Sequence, residues 1–127
     1  MRSDSNTTVQ YLRQLLRKFK DDRDWGQFYD PKSLAEAISI EASELLELFL
    51  WKSAADVKEA VKSEQRFRKA IEVQLADVFC FGLNLANVAD IDVANAIIKK
   101  VEINKKRYPI KKSKGTAAKI RQALSTV

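Results

Sequence analysis

The stretch that decides the fold is residues 40–51, IEASELLELFLW, an apolar run that Glu41, Glu44 and Glu47 interrupt. On a predicted α-helix, one apolar face within about 60° of Glu41 consists of Leu34, Ala37, Ile38, Leu45 and Leu48. Because each residue advances about 100° around a helix, Glu41 lies at the centre of that face and Glu44 about 60° from it. A buried, unpaired carboxylate costs several kcal/mol or stays protonated. We therefore expect a positive group opposite Glu41, either a Lys or Arg side chain or a metal ion.

A second acidic residue occupies an apolar face in the helix predicted over residues 64–88. The residues on the same side as Asp77 are Ala70, Val73, Gln74, Cys80, Phe81, Asn84 and Val88. Packing the two acid-bearing faces together forms one cluster of oxygen ligands, made of Glu41, Glu44, Gln74 and Asp77. Such ligands suit Mg²⁺, which usually keeps water ligands and bridges to substrate phosphates. The chain contains no His, so a metal ion here depends on oxygen ligands.

Composition places the chain among globular proteins with one all-α domain. It has 127 residues, 46% hydrophobic and 31% charged, with only three Gly and two Pro. That length fits one domain, and the scarcity of turn-forming residues favours long helices over short strands. A single cysteine, Cys80, excludes an internal disulfide and fits a reducing, cytoplasmic location. We expect no membrane span, because no run of about 18 apolar residues is present, and no secretory signal, because the N-terminal segment MRSDSNTTVQ lacks an apolar region.

Helical periodicity predicts a four-helix bundle. The predicted helices cover residues 7–20, 33–51, 64–88 and 93–106, with a short helical turn and a connection after Ser53. Ser33 and Glu36 form a predicted capping box at the start of the second helix. We assign residues 1–110 to the domain and residues 111–127 to a basic tail.

Basic residues concentrate toward the C-terminal end. Eight of the 23 Lys and Arg residues fall within residues 99–114, in a chain of net charge +6. They form either a solvated end of the chain or an anion site for nucleic acid or polyphosphate. In the fourth helix Lys100, Asn104 and Arg107 project from an apolar stripe. They fit either a salt bridge from Lys100 to a buried carboxylate or a phosphate clamp.

Two tryptophans flank the second helix, Trp25 in the loop before it and Trp51 at its end. Large aromatic side chains at such places pack in a core or an interface more often than they bind a ligand. Beside a phosphate site they would also serve to stack a base. Both interpretations stay open on the sequence.

Four segments together resemble a known family: RDWGQF (23–28), EASELLELFLWK (41–52), LADVFCF (75–81) and KVEINKKRYP (100–109). They are similar to the MazG-like all-α nucleoside triphosphate pyrophosphohydrolases, in particular the single-domain dCTP pyrophosphatase type. The resemblance covers about residues 11–109. It implies Mg²⁺-dependent cleavage of a nucleoside triphosphate, dCTP-like or another dNTP, into monophosphate and pyrophosphate, in the clearance of unwanted nucleotides. It also implies a homodimer or a dimer of dimers with sites near subunit contacts.

The family motif ExxE followed by ExxD implies the metal ligands. Glu41 and Glu44 match the first pair, and one of them is the implied general base for the attacking water. Asp77 matches the last position, and Gln74 stands where the family has Glu. Glu72 cannot replace it, because it lies about 140° from Asp77 around the helix. We expect weaker metal binding and reduced turnover, whether Gln74 is natural or an engineered change.

The resemblance also implies the substrate contacts. The implied base pocket consists of Trp25, Trp51 and Phe81. The implied triphosphate contacts are Lys100, Asn104, Arg107 and Tyr108.

Two other functions stay open on the sequence. A helical nucleic-acid-binding protein would explain the basic residues, but it leaves Glu41 and Asp77 on apolar faces unexplained. A structural or regulatory bundle would pair those acids with Lys100 and Arg107. We rank both below the hydrolase, and we expect no membrane partner.

Overall fold

The computed structural model describes residues 1–116, and within them all regular secondary structure is helical, with no strand. The predicted all-α class is therefore confirmed. The α-helices are α1 (Val9–Asp21), α2 (Pro31–Glu47), α3 (Ala54–Ser63), α4 (Gln65–Val88), α5 (Val93–Arg107) and α6 (Ile110–Ser113), and a 3₁₀ turn covers Gly26–Phe28. The chain divides into two units, Met1–Ile91 and Asp92–Val127.

Helix α2 begins two residues earlier than the predicted capping box. Asp30 is the N-cap, and its carboxylate accepts the backbone N–H of Ser33 at 3.0 Å. Pro31 takes the first helical position, where a missing N–H leaves no bond unmade. The Ser33 hydroxyl donates to Asp30 at 2.5 Å. Ser33 therefore supports the cap instead of forming it.

The segment after Ser53, which the sequence predicts as a short turn, is the ten-residue helix α3. The Ser53 hydroxyl oxygen accepts the backbone N–H of Asp56 at 3.1 Å. Asp56 adds a negative charge to the first turn, where the helix dipole favours it. Ala60 is buried, and α3 packs against α4.

Helix α2 ends at Glu47, before the predicted end at residues 50–51. The following backbone turns, and Trp51 has a φ of 63°. That left-handed conformation is rare for a bulky side chain. The Trp51 side chain is 99% exposed. The turn therefore leaves a strained tryptophan projecting into solvent.

Helix α4 is the centre of the first unit, because α1, α2 and α3 all contact it. Phe49 near the end of α2 packs edge-on against Phe67 near the start of α4, with ring centroids 5.8 Å apart. Glu41, earlier in α2, feels the charge of Asp77, later in α4. The two helices are therefore antiparallel. Length and composition would also allow α4 to cross a membrane, but the core helix of a soluble bundle satisfies the same criterion.

Arg13 joins α1 to the C-terminal end of α4. Its guanidinium donates to the Asn87 side-chain oxygen at 2.9 Å and to the backbone oxygens of Ala86 at 3.3 Å and Ile91 at 2.8 Å. The Asn87 amide donates in return to the Arg13 carbonyl at 3.1 Å. Arg13 thus places a positive charge where helix α4 ends and its carbonyls lack helical partners.

The second unit contains α5 and α6. Asp92 is the N-cap of α5, and its carboxylate accepts the backbone N–H of Asn95 at 2.9 Å. The last turn carries three cations, Lys105, Lys106 and Arg107. Positive charge is favourable at a helix C-terminus. Helix α6 is one short turn at the start of the predicted basic tail, and the tail beyond residue 116 lies outside the described residues.

Candidate acidic and aromatic site

Three carboxylates lie near one another between α2 and α4. The pKa of the half-buried Glu41 carboxyl is raised, first because burial removes water from its charged form and then by the negative charges of Glu44 and Asp77. A hydrogen bond with the Glu44 carboxyl adds to this rise. Within the described first unit, no Lys or Arg forms an ion pair with any of the three. We expected either a Lys or Arg side chain or a metal ion opposite Glu41, and this unit supplies no such side chain.

Gln74 and Cys80 stand one turn to either side of Asp77 on α4. The Gln74 side-chain oxygen is buried and has no hydrogen-bond partner within residues 1–116. Leaving such an atom unpaired costs about 1–3 kcal/mol. Partial burial and the charge of Asp77 raise the pKa of the Cys80 thiol. A protonated, half-buried thiol packs as a small apolar side chain.

The donor chemistry of these residues fits a hard divalent cation. Among residues 1–116, no three His, Cys, Asp or Glu side chains converge closely enough to hold a metal ion. Glu41 and Glu44 nevertheless repel each other, and the Gln74 oxygen lacks a donor. A cation would remove both penalties, because carboxylate and amide oxygens are the ligands that Mg²⁺ prefers. The side chains would have to turn toward one point to form its coordination sphere.

Trp25 belongs to an aromatic cluster before α2. Its ring meets Phe19 of α1 edge-on, with centroids 5.7 Å apart and planes at 74°, and lies 6.5 Å from the tilted ring of Tyr29. Asp24 has a φ of 51°, which turns the chain back so that the Trp25 N–H donates to the Lys20 carbonyl at 3.1 Å. The indole stays 40% exposed. A supported and partly exposed aromatic ring suits stacking on a base.

Trp51 lies at the other end of α2. Trp25 contacts Tyr29, which precedes the helix, whereas Trp51 follows its last turn. The 17 residues of α2 span about 25 Å at 1.5 Å per residue. The structure therefore does not bring the two tryptophans of one chain together. Phe81 is half-buried on α4, one turn after Asp77.

The residues predicted to contact phosphate belong to the second unit. Lys100 and Arg107 are exposed on α5, and Asn104 is half-buried between them. The Tyr108 N–H donates to the Asn104 carbonyl at 2.7 Å, and the Arg107 guanidinium lies 5.5 Å from the Tyr108 ring centroid. Within this unit the four residues form one side of the C-terminal end of α5.

The helical fold and the acids on α2 and α4 agree with a known protein family. Residues 37–122 of this chain match the model of the MazG-like family. This range includes the acidic pair on α2 and the acid on its antiparallel neighbour α4. The chain therefore belongs to the MazG-like family, and the resemblance is confirmed.

Curated relatives are dCTP pyrophosphatases. The chain is 37% identical to the dCTP pyrophosphatase 1 of Rattus norvegicus over 112 residues, which is 88% of this chain and 65% of that protein. It is 34% identical to the Homo sapiens protein of the same name, with the same two coverages. The chain thus spans a little under two thirds of these relatives. A solved pyrophosphatase from Archaeoglobus fulgidus is 35% identical, with a TM-score of 0.75 over 86% of this chain and 99% of that one.

Sequence reasoning missed Arg23 as part of the aromatic cluster. Its guanidinium carbon lies 3.7 Å from the centroid of the Phe19 ring and 6.0 Å from that of Trp25. Arg23 stands two residues before Trp25 in the RDWGQF segment. An arginine so close to a predicted stacking residue is the signal that could have identified it.

Proposed function

We propose that this chain is a Mg²⁺-dependent nucleoside triphosphate pyrophosphohydrolase that converts a dNTP, dCTP or a close analogue, into the monophosphate and pyrophosphate. The observation that carries the proposal is the group of three carboxylates without a cationic partner in the first unit. The similarity to dCTP pyrophosphatases and to a solved pyrophosphatase supports a reaction of this class.

The proposed mechanism needs no covalent nucleophile. Glu41, Glu44, Asp77 and the Gln74 oxygen would hold Mg²⁺, which neutralises phosphate charge and activates water when bound. The raised pKa of Glu41 suits a group that accepts a proton from the attacking water. The bond between the α-phosphorus or β-phosphorus and the bridging oxygen breaks as the water oxygen attaches, and the proton passes to the carboxylate. Lys100, Asn104, Arg107 and Tyr108 of the second unit are the proposed contacts to the triphosphate, and their cationic side chains would stabilise the charge that grows on whichever phosphate group departs.

Gln74 should slow this reaction. An amide offers one neutral oxygen where the family has a carboxylate, so the site loses one negative charge and binds Mg²⁺ less tightly. The chain should therefore bind dNTP but hydrolyse it slowly.

We propose also that two copies of the chain complete one base pocket. Trp25 and Trp51 of a single chain lie at opposite ends of α2, so one base cannot stack on both. The exposed side of α2 carries Ala35, Ser39, Ala42 and Leu46, small or apolar residues at heptad spacing without charge. Antiparallel packing of two α2 helices along this side would bring Trp25 of one copy toward Trp51 of the other.

The reaction is tested with a panel of common and modified dNTPs. Product is measured as pyrophosphate and as nucleoside monophosphate, with Mg²⁺ and with EDTA. We expect slow, Mg²⁺-dependent release of both products, and release of inorganic phosphate in place of pyrophosphate would contradict the bond assignment. Glu41→Ala and Glu44→Ala should abolish the release, while Glu36→Ala on the solvent side of α2 should not.

The assembly is tested by sedimentation. We expect a dimer or a larger assembly, which Ala42→Arg should dissociate to monomer, because a charge enters the predicted contact. A clean monomer at tens of micromolar chain would contradict the shared pocket. Strong, salt-sensitive binding to single-stranded RNA without Mg²⁺ would favour the nucleic-acid alternative.

A further inference from the structure

Arg23 is attached to Phe19 at two points. Its guanidinium carbon lies 3.7 Å from the centroid of the Phe19 ring, and Nη1 donates to the Phe19 carbonyl oxygen at 3.0 Å. The cation thus covers one face of the ring while its hydrogen bond fixes the same residue's backbone. A planar guanidinium can make both contacts together, which an ammonium cannot.

Phe19 in turn contacts Trp25. The two rings meet edge-on with centroids 5.7 Å apart, and Arg23 itself lies 6.0 Å from the Trp25 ring. The backbone of Trp25 is fixed by its hydrogen bond to the Lys20 carbonyl. The orientation of the indole then depends on its ring neighbours, Phe19 and Tyr29.

Burial alone does not fix these rings. Phe19 is 45% exposed and Trp25 is 40% exposed. A half-exposed aromatic side chain samples several rotamers unless specific contacts select one. The stack of Arg23 on Phe19 is such a contact, because it holds the ring that packs against the indole of Trp25.

We propose that Arg23 is a positioning residue of the nucleobase subsite, which holds Trp25 through Phe19 in the orientation that stacks on a pyrimidine-type base. This inference rests on the proposed role of Trp25 in base binding. Arg23 acts before the substrate arrives, since an indole already in place loses less freedom on binding. Removing the guanidinium should therefore weaken nucleotide binding and leave the hydrolytic step unchanged.

The test uses the full-length chain with Trp51→Phe, so that Trp25 is the only tryptophan. Arg23→Met removes the charge and the donors but keeps a long side chain, and Arg23→Lys keeps the charge without the planar stack. Arg66→Met removes an exposed arginine of α4 as the matched control. Fluorescence anisotropy of Trp25 is measured without nucleotide, and affinity is measured with the α,β-methylene analogue of dCTP, which resists cleavage at that bridge.

We expect Arg23→Met to lower the Trp25 anisotropy and to weaken binding about three- to tenfold. Arg23→Lys should recover part of both effects, and Arg66→Met should change neither. In the Gln74→Glu background, KM should rise with kcat unchanged. Unchanged anisotropy or unchanged affinity in Arg23→Met would overturn the positioning role, as would a fall in kcat.

The two proposals fail separately. If Trp25→Ala binds the analogue as well as the parent chain does, the base role of Trp25 is wrong. The anisotropy of Arg23→Met still decides in that case whether Arg23 orders the indole. Absence of pyrophosphate release from every dNTP would reject the hydrolase without changing the anisotropy result.

Discussion

Removing the Arg13 guanidinium should destabilise the first unit more than any other single surface change in α1. Arg13 joins α1 to the C-terminal end of α4 through three donated hydrogen bonds. Arg13→Met keeps the apolar stem and removes the charge and all donors. The backbone oxygen of Ala86, a buried residue, then loses a charged donor.

The expected loss follows from these contacts. Hydrogen bonds from a charged group contribute about 1.5–3 kcal/mol where the partner is sheltered. The bonds to Asn87 and Ala86 are partly buried, whereas the bond to Ile91 is exposed and adds little. A positive charge at a helix C-terminus adds about 0.3–1 kcal/mol. We expect a loss of about 2–3 kcal/mol, or about 6–12 °C in Tm for a chain of this length.

The assay is urea and thermal unfolding followed by far-ultraviolet circular dichroism at fixed chain concentration. Arg17→Met is the matched control, because Arg17 donates only one exposed bond to the same Asn87 oxygen, at 3.3 Å. That control should lose less than about 1 kcal/mol. Equal losses in the two variants would refute the reasoning, since the Arg13 contacts would then contribute no more than one surface bond.

Two further predictions concern the site. Since the pKa of Glu41 is raised, the folded chain binds the carboxyl proton more tightly than the unfolded chain does. The free energy of unfolding therefore falls as pH rises through the carboxyl range. In EDTA, Glu41→Gln should raise Tm by about 1–2 °C at pH 7 and leave it unchanged below about pH 4. The same gain at both pH values would show that charge is not its cause. Trp51→Gly should relieve the left-handed backbone and raise the free energy of unfolding by about 0.5–1 kcal/mol, while dNTP binding weakens by about 1–3 kcal/mol. Lower stability in thermal melts, or unchanged affinity in a titration, would contradict one half of that prediction.

Helical phase explains why the sequence predicted so much of the α2–α4 contact. Successive residues are rotated about the helix axis by a fixed angle, so the sequence shows which residues share a side of a helix. The apolar residues around Glu41 and Asp77 therefore indicate which sides of α2 and α4 face each other. The structure places these two carboxylates near each other, as that argument requires. Their role as metal ligands remains a prediction, because it depends on side-chain positions that phase does not determine.

Helix ends were predicted less well, because competing caps differ by small energies. The N-cap of α2 is Asp30, followed by Pro31, and not the predicted Ser33. Asp and Ser side chains can both accept a hydrogen bond from the first helical turn, so the sequence alone does not decide between them. The early end of α2 depends on the left-handed backbone at Trp51, which propensity argues against. Trp25 and Trp51 are separated by the length of α2, which the sequence already indicated. The prediction of one base pocket from both tryptophans of a single chain did not consider that length.

Gln74→Glu is the variant that decides whether the acids on α2 and α4 form the hydrolytic centre of a nucleotide pyrophosphohydrolase. This change restores the carboxylate that the family has at position 74, next to Asp77 on the same side of α4. Pyrophosphate release from the dNTP panel is measured with Mg²⁺ for this chain and for the variant, with Gln65→Glu at the start of α4 as a control for added charge. We expect at least about a tenfold increase in the variant, equivalent to about 1.4 kcal/mol of barrier, and no increase in the control. A Gln74→Glu chain that folds well yet releases no pyrophosphate from any dNTP would contradict this assignment.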